Sequence, residues 1–157
     1  MEFEEIYKNY WQKIYRVCRG YVNEDDWAKD ITQDTFIIVY KQLQNFRNES
    51  SISTWIYRIA VNNCLRQIEK QKRFPKNEVY DNLTEAEVIP IDTKIAFLYK
   101  SINELKELDR IIISLELEDI KQAEIASIVG ISEANVRVKI HRIKEKLTEK
   151  FKSYERD

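Results

Sequence analysis

Glycine and proline are nearly missing from this sequence: Gly20, Gly130, Pro75 and Pro90 are the whole complement. A turn-dense β architecture needs frequent positive-φ and chain-reversing residues, so it is excluded and an all-α chain is expected. Long apolar runs are missing too. The longest, Phe36 to Tyr40 and Ile111 to Ile113, fall far short of a bilayer span, and the acidic start Glu2-Phe3-Glu4-Glu5 has no apolar core behind it. Both predict a cytoplasmic protein without membrane insertion. The only cysteines, Cys18 and Cys64, lie in different amphipathic segments, without metal-ligand spacing to each other or to the lone His141. They read as small reduced core residues, and neither a metal nor a cofactor is expected. No carboxylate pair, nucleophile with base or phosphate-cradling glycine loop stands out, which argues against an enzyme.

What is present is helical periodicity. Phe3, Ile6, Tyr7, Tyr10, Trp11, Ile14 and Val17 recur at three and four residues, the spacing of one helix face, and this helix is expected to stop near Gly20. Asn23 is expected to cap a second helix, whose Glu24, Asp25 and Asp26 suit the positive end of its dipole. Trp27, Ile31, Thr35, Phe36, Ile38, Val39 and Leu43 form its stripe. After the polar loop Asn45 to Ser53, a third helix runs on Trp55, Ile56, Ile59, Ala60, Asn63 or Cys64, and Ile68, and ends in Lys70-Gln71-Lys72-Arg73. Between the prolines, "PKNEVYDNLTEAEVIP" carries Glu78, Asp81, Glu85 and Glu87 with little periodicity, and reads as an acidic linker. Periodicity resumes with Ile95, Leu98, Ile102 and Leu105, then Ile111, Ile112 and Leu115. Two small helical domains are therefore expected, residues 1–74 and 93–157, joined by a linker over 75–92.

The formal net charge of -1 conceals a segregation. Asp25, Asp26, Asp30 and Asp34 crowd the second helix, whereas Arg58, Arg66, Lys70, Lys72 and Arg73 mark the third and Arg137, Lys139, Arg142, Lys144 and Lys146 the last. Salt screens over about 10 Å, so local basic faces act apart from distant acidic ones.

The stretch "EIASIVGISEANVRVKIHRIKEKL", Glu124 to Leu147, has the form of a helix-turn-helix. Ile125, Ala126 and Val129 supply an inner face, Gly130 takes the left-handed turn, Ile131 plugs the corner and Ser132 caps the next helix. At about 100° per residue Val136, Ile140, Ile143 and Leu147 share a narrow inward wedge. Ser132, Glu133, Ala134, Arg137, Val138, His141 and Arg142 lie outside it, with Lys139 on the flank. Arg137 can donate two bonds to a guanine edge, Ala134 and Val138 can meet thymine methyls, and Arg142 or Lys139 can hold phosphates. An ordinary α-hairpin with a solvated outer face is the alternative. On the third helix, Arg58, Asn62, Arg66, Lys70 and Arg73 make a polar stripe behind the loop "FRNESSIST", an arrangement suited to a single strand with an unstacked base.

Taken together, these segments resemble the extracytoplasmic-function (ECF) sigma factors of the sigma-70 family. "DITQDTFIIVYKQLQNF" (Asp30 to Phe46) is similar to the family's polymerase-binding helix, and "SSISTWIYRIAVNNCLRQIEKQKR" (Ser50 to Arg73) to its promoter −10 helix with the preceding loop. The segment from Ile102 to Leu147 is similar to its −35-binding domain. The resemblance implies a bacterial initiation factor that binds core RNA polymerase, directs it to promoters and helps melt the −10 element. It places Asp30, Gln33 and Asp34 against the polymerase; Asn48, Ser50, Ser51, Arg58, Asn62, Arg66, Lys70 and Arg73 at the melted −10 strand; and Ser132, Glu133, Ala134, Arg137, Val138, Lys139, His141 and Arg142 at the duplex −35 element. It also implies an anti-sigma partner. Where the family often carries glycine, this chain has Asn48 and Asp119. The competing expectation is a helix-turn-helix regulator that acts without joining core polymerase.

Overall fold

The computed structural model describes residues 2–73 and 93–156, and all regular structure among them is helical. The expected acidic linker, with Glu78, Asp81, Glu85 and Glu87, lies outside the described residues. Among the described residues there are seven α-helices: α1 Phe3–Val22, α2 Asp25–Gln42, α3 Ile52–Arg73, α4 Thr93–Asn103, α5 Glu107–Leu117, α6 Gln122–Val129 and α7 Glu133–Arg156. A 3-10 turn, Leu43–Asn45, follows α2.

The first three helices pack around Ile6, Ile14, Val17, Cys18, Ile31, Phe36, Val39, Ile56, Ala60 and Cys64, all buried. These are largely the positions that periodicity selects, because removing one apolar stripe per helix from water is the main gain of folding. Thr32 and Thr35 are buried as well; their hydroxyls donate to the carbonyls of Ala28 and Ile31, at 2.7 and 2.8 Å, so neither hydroxyl is stranded. The sulfurs of Cys18 and Cys64 touch at 3.8 Å in this core, as free thiols.

Two expectations at the α1–α2 junction are corrected. Gly20 does not stop α1; it lies buried inside the helix, and the chain continues to Val22. Asn23, expected to cap α2, closes α1 instead: it is left-handed at φ 49°, and its N–H donates to Arg19 O at 2.9 Å. Asparagine tolerates that conformation, so it performs the helix ending that Gly20 was expected to perform. Glu24 caps α2 by accepting from Trp27 N–H at 3.3 Å.

In the second group, α5, α6 and α7 pack around Ile111, Ile112, Leu115, Ile125, Ile128, Val136, Ile140 and Ile143. Phe97 of α4 stacks on Tyr154 of α7, with centroids 4.3 Å apart. Ile95, expected on the inner stripe, is 46% exposed in the first turn of α4, while Ile102 further along is buried. The two groups also lie against each other. Helix α1 packs on α4 and α5, and α3 packs on α6, so one apolar core runs through both.

Candidate nucleic-acid interface

The turn between α6 and α7 forms as its residues require. Gly130 is left-handed at φ 79°, its N–H and that of Ile131 both donate to Ala126 O, at 2.8 and 3.2 Å, and Ser132 Oγ accepts from Asn135 N–H at 3.1 Å. Capping fixes where α7 begins, and with it the phase of every side chain on the helix. Val136, Ile140, Ile143 and Leu147 are buried, which leaves Ser132, Glu133, Ala134, Arg137, Val138, His141 and Arg142 exposed on the opposite side. Val138 is 46% exposed. Lys139 is half-buried and pairs with Asp109 of α5 at 3.6 Å; His141 Nε2 lies 3.0 Å from Glu145. The exposed arc thus presents a guanidinium, an apolar tip and a small residue on a rigid helix whose N-terminal N–H groups favour phosphate.

A second polar surface lies in the first group. Leu43, Phe46, Asn48, Glu49, Ser50, Ser51 and Ile52 line an open hollow of about 740 Å³. Asn48 is left-handed at φ 59°, the conformation for which glycine is the usual residue. Ser51 has a structural duty: its Oγ accepts from Thr54 N–H at 3.1 Å and so caps α3. Phe46 packs on Trp55 with centroids 4.8 Å apart, which gives the hollow an aromatic wall. Sequence reasoning selected Asn48, Ser50 and Ser51 but missed Glu49, whose carboxylate can accept from a base amino group, and the apolar members Leu43 and Ile52.

Beyond the hollow, Asn62, Arg66, Lys70 and Arg73 line the exposed side of α3. Arg66 donates to Asn63 Oδ1; the buried Asn63 in turn donates to Thr35 Oγ1 of α2 at 3.1 Å. This chain of bonds aims Arg66 by anchoring it to the neighbouring helix. Arg58 is half-buried and reaches across to the other group. Its Nη2 donates to Ser127 Oγ at 2.9 Å and Ser127 O at 3.3 Å, on α6 of the other group. Asp30, Gln33 and Asp34 are exposed on α2 and line, with Trp27, Ile31 and Gln67, a separate hollow of about 330 Å³. Asp25 and Asp26 sit in the first turn, where they complement the dipole, whereas Asp30 and Asp34 lie beyond it. Among the described residues no cluster of histidine, cysteine and carboxylate side chains is arranged to hold a metal.

A capped helix with an exposed cationic arc in one group and an open hollow beside a cationic stripe in the other have a counterpart among known families. Sigma-70 region 2 matches residues 6–74, and Sigma-70, region 4, matches residues 98–147. The ECF RNA polymerase sigma-E factor of Haemophilus influenzae is 31% identical over 95% of this chain and 87% of its own length. The chain belongs to the ECF sigma factors of the sigma-70 family. The ECF sigma factor SigW of Bacillus subtilis is 28% identical over 96% of this chain and 89% of its own. Among solved structures, the fold matches the sigma factor RpoE of Bartonella quintana, in complex with the anti-sigma factor NepR, with a TM-score of 0.81. That match has 19% identity and covers 96% of both chains. CnrH, in complex with the cytosolic domain of CnrY, matches with a TM-score of 0.73, at 19% identity over 96% of this chain and 88% of its own. As an ECF sigma factor the chain directs RNA polymerase to promoters; the hollow falls within the region 2 match and the exposed arc of α7 within the region 4 match.

Proposed function

We propose that this sigma factor divides promoter recognition between a region 2 domain, residues 1–74, and a region 4 domain, residues 93–157, joined by a linker over 75–92. Ser132, Glu133, Ala134, Arg137, Val138, Lys139, His141 and Arg142 meet the duplex −35 element. Arg137 reads a guanine edge, Val138 and Ala134 meet thymine methyls, and Arg142 and Lys139 hold phosphates. Asn48, Ser50 and Ser51 shape the hollow that takes a base flipped out of the −10 element, while Arg58, Asn62, Arg66, Lys70 and Arg73 track the strand that carries it. Asp30, Gln33 and Asp34 face a basic surface of core polymerase, where complementary charge sets orientation and association rate.

The observation that carries this reading is the presence, on one chain, of two exposed polar surfaces of different design, one a capped helix and the other a hollow beside a cationic stripe. Melting is driven by base capture and phosphate contacts, and the chain contributes no catalytic step; the polymerase does the chemistry. The protein works in the cytoplasm, and no described helix is long and apolar enough to cross a membrane. By analogy with the RpoE complex, an anti-sigma partner holds it inactive.

The test is transcription from genomic DNA by sigma-free core polymerase with and without the protein. Added protein should yield new transcripts whose mapped 5′ ends share upstream −10 and −35 sequences. Duplex binding with no core association and no new 5′ ends would identify a regulator that acts alone.

A further inference from the structure

Position 63 lies on the inner stripe of α3, next to the buried Cys64, where a leucine would add apolar burial. The chain places an asparagine there, 7% exposed. A buried amide adds little to stability when its hydrogen bonds are made and costs much when they are not. Asn63 uses both ends. Arginine can only donate, so Arg66 fixes which end of the amide is oxygen: its Nη2 donates to Asn63 Oδ1, and Nδ2 donates inward to Thr35 Oγ1 of α2 at 3.1 Å. The Thr35 hydroxyl, fully buried, is free to accept because its own proton goes to Ile31 O at 2.8 Å. Bonds therefore run in one direction, from the exposed guanidinium through Asn63 and Thr35 to the backbone of α2.

Charge explains why an amide serves here. Among the described residues Arg66 makes no ion pair, whereas on the same helix Lys72 pairs with Glu107 and Arg73 lies 3.9 Å from Glu69. A carboxylate at position 63 would hold the guanidinium and cancel its charge. A neutral amide oxygen holds it and leaves the full positive charge to a phosphate. An unheld arginine gives up much rotamer freedom when it binds; one already fixed by a buried neighbour has less to lose.

We propose that Asn63 is a positioning residue for strand capture: it holds the uncompensated Arg66 guanidinium in the orientation that meets the melted −10 strand, and takes its own orientation from Thr35. The proposal rests on the preceding section's reading of Arg66 as a strand-tracking cation. Two adjacent asparagines then have different tasks. Asn62 is exposed and faces the strand itself, while Asn63 is buried and acts through Arg66.

The test separates stability from melting. In holoenzyme, Asn63→Leu should slow promoter opening, followed by permanganate reactivity of melted thymines, by roughly threefold to tenfold, the effect of returning rotamer freedom to one arginine. In the free protein Thr35→Val should lower the denaturation midpoint, because Nδ2 of Asn63 loses its buried acceptor. Adding Asn63→Leu should recover that midpoint while opening stays slow; a role confined to packing would restore both together. On an Arg66→Ala background Asn63→Leu should slow opening no further. Nitrogen relaxation at Arg66 Nε in the free protein should show an ordered guanidinium in wild type and a mobile one in Asn63→Leu. Asn63→Asp should keep it ordered and still slow opening, since the pair carries no net charge.

Opening that recovers together with the midpoint, an equal slowing on the Arg66→Ala background, or a guanidinium equally mobile in wild type and Asn63→Leu overturns the positioning role. Should the double variant stay unstable, the Arg66→Ala background and the relaxation decide. Slow opening in Arg66→Ala with normal opening in Asn63→Leu overturns the role of Asn63 alone. Normal opening in Arg66→Ala refutes the strand-tracking reading of Arg66 and the proposal with it.

Discussion

Arg137 and Lys139 are neighbours on one helix with different freedom. The guanidinium stands exposed, and a bidentate contact to guanine discriminates by about 1–3 kcal/mol, so Arg137→Ala should lose that much binding to the cognate −35 duplex and relax selectivity at one base pair. Lys139 is already paired with Asp109, and leaving that partner offsets much of what a phosphate returns. Arg142→Ala should therefore flatten the salt dependence of binding, by about one unit of slope for one lost phosphate contact, and Lys139→Ala should flatten it less. Titrations of holoenzyme on duplex DNA at several salt concentrations check both; equal slopes for the two variants would refute the ranking. The exposed arc of α7 was legible in the sequence because the buried stripe fixes its complement. The contacts of Arg58 with Ser127 and of Lys139 with Asp109 were not, since long-range pairing leaves no local periodicity.

At the scale of the element, caps decide where side chains point. Ser51 carries two duties, lining the hollow and accepting from Thr54 N–H, whereas Ser50 Oγ makes a long bond to Ser51 O at 3.3 Å. Ser51→Ala should lower stability by about 1 kcal/mol in denaturant unfolding, and Ser50→Ala should leave it nearly unchanged. Melting of promoter DNA, read by permanganate, would then separate the two serines: loss in Ser50→Ala reports a direct role in the hollow. At Gly130 an added Cβ meets open space, so the cost of Gly130→Ala is backbone strain alone, about 1–2 kcal/mol for a left-handed alanine. Helix existence and phase were readable here from three- and four-residue spacing. Helix ends were less so, because Gly20 and Asn23 both fit the chemistry of an ending and only tertiary packing chooses between them. Gly20 is needed where α1 meets Ser114 of α5, which leaves the left-handed position to Asn23.

Across the whole molecule the seam between the two helix groups gathers buried phenols. Burial pushes Tyr21 up to about 12, and raises Tyr57 and Tyr99 as well, against an ordinary value of 10.0. Tyr21 lies under Arg110, and Tyr99 lies under Arg19 at 5.0 Å from guanidinium carbon to ring centroid. The folded chain keeps these groups protonated where the unfolded chain ionises them. Their stabilisation is complete below about pH 10 and is lost as pH rises through about 12. Tyrosinate absorbance should still be rising above pH 10 as these phenols ionise, with compactness falling as they do. Ionisation of all tyrosines together, near 10, would contradict the buried assignment. The two amphipathic groups were legible from pattern, but their mutual packing was not: a stripe announces that it will be buried without naming the partner.

The contact between Cys18 and Cys64 has a practical use. Both native thiols are sealed in the core, so a brief pulse of maleimide should leave them unlabelled in the closed protein. A cysteine introduced at Tyr40 and another at Val138, both exposed and on opposite sides of the seam, would then be the only reactive pair. With two dyes attached, the sigma factor becomes its own molecular ruler, able to report in real time the distance between its two helix groups when polymerase is added.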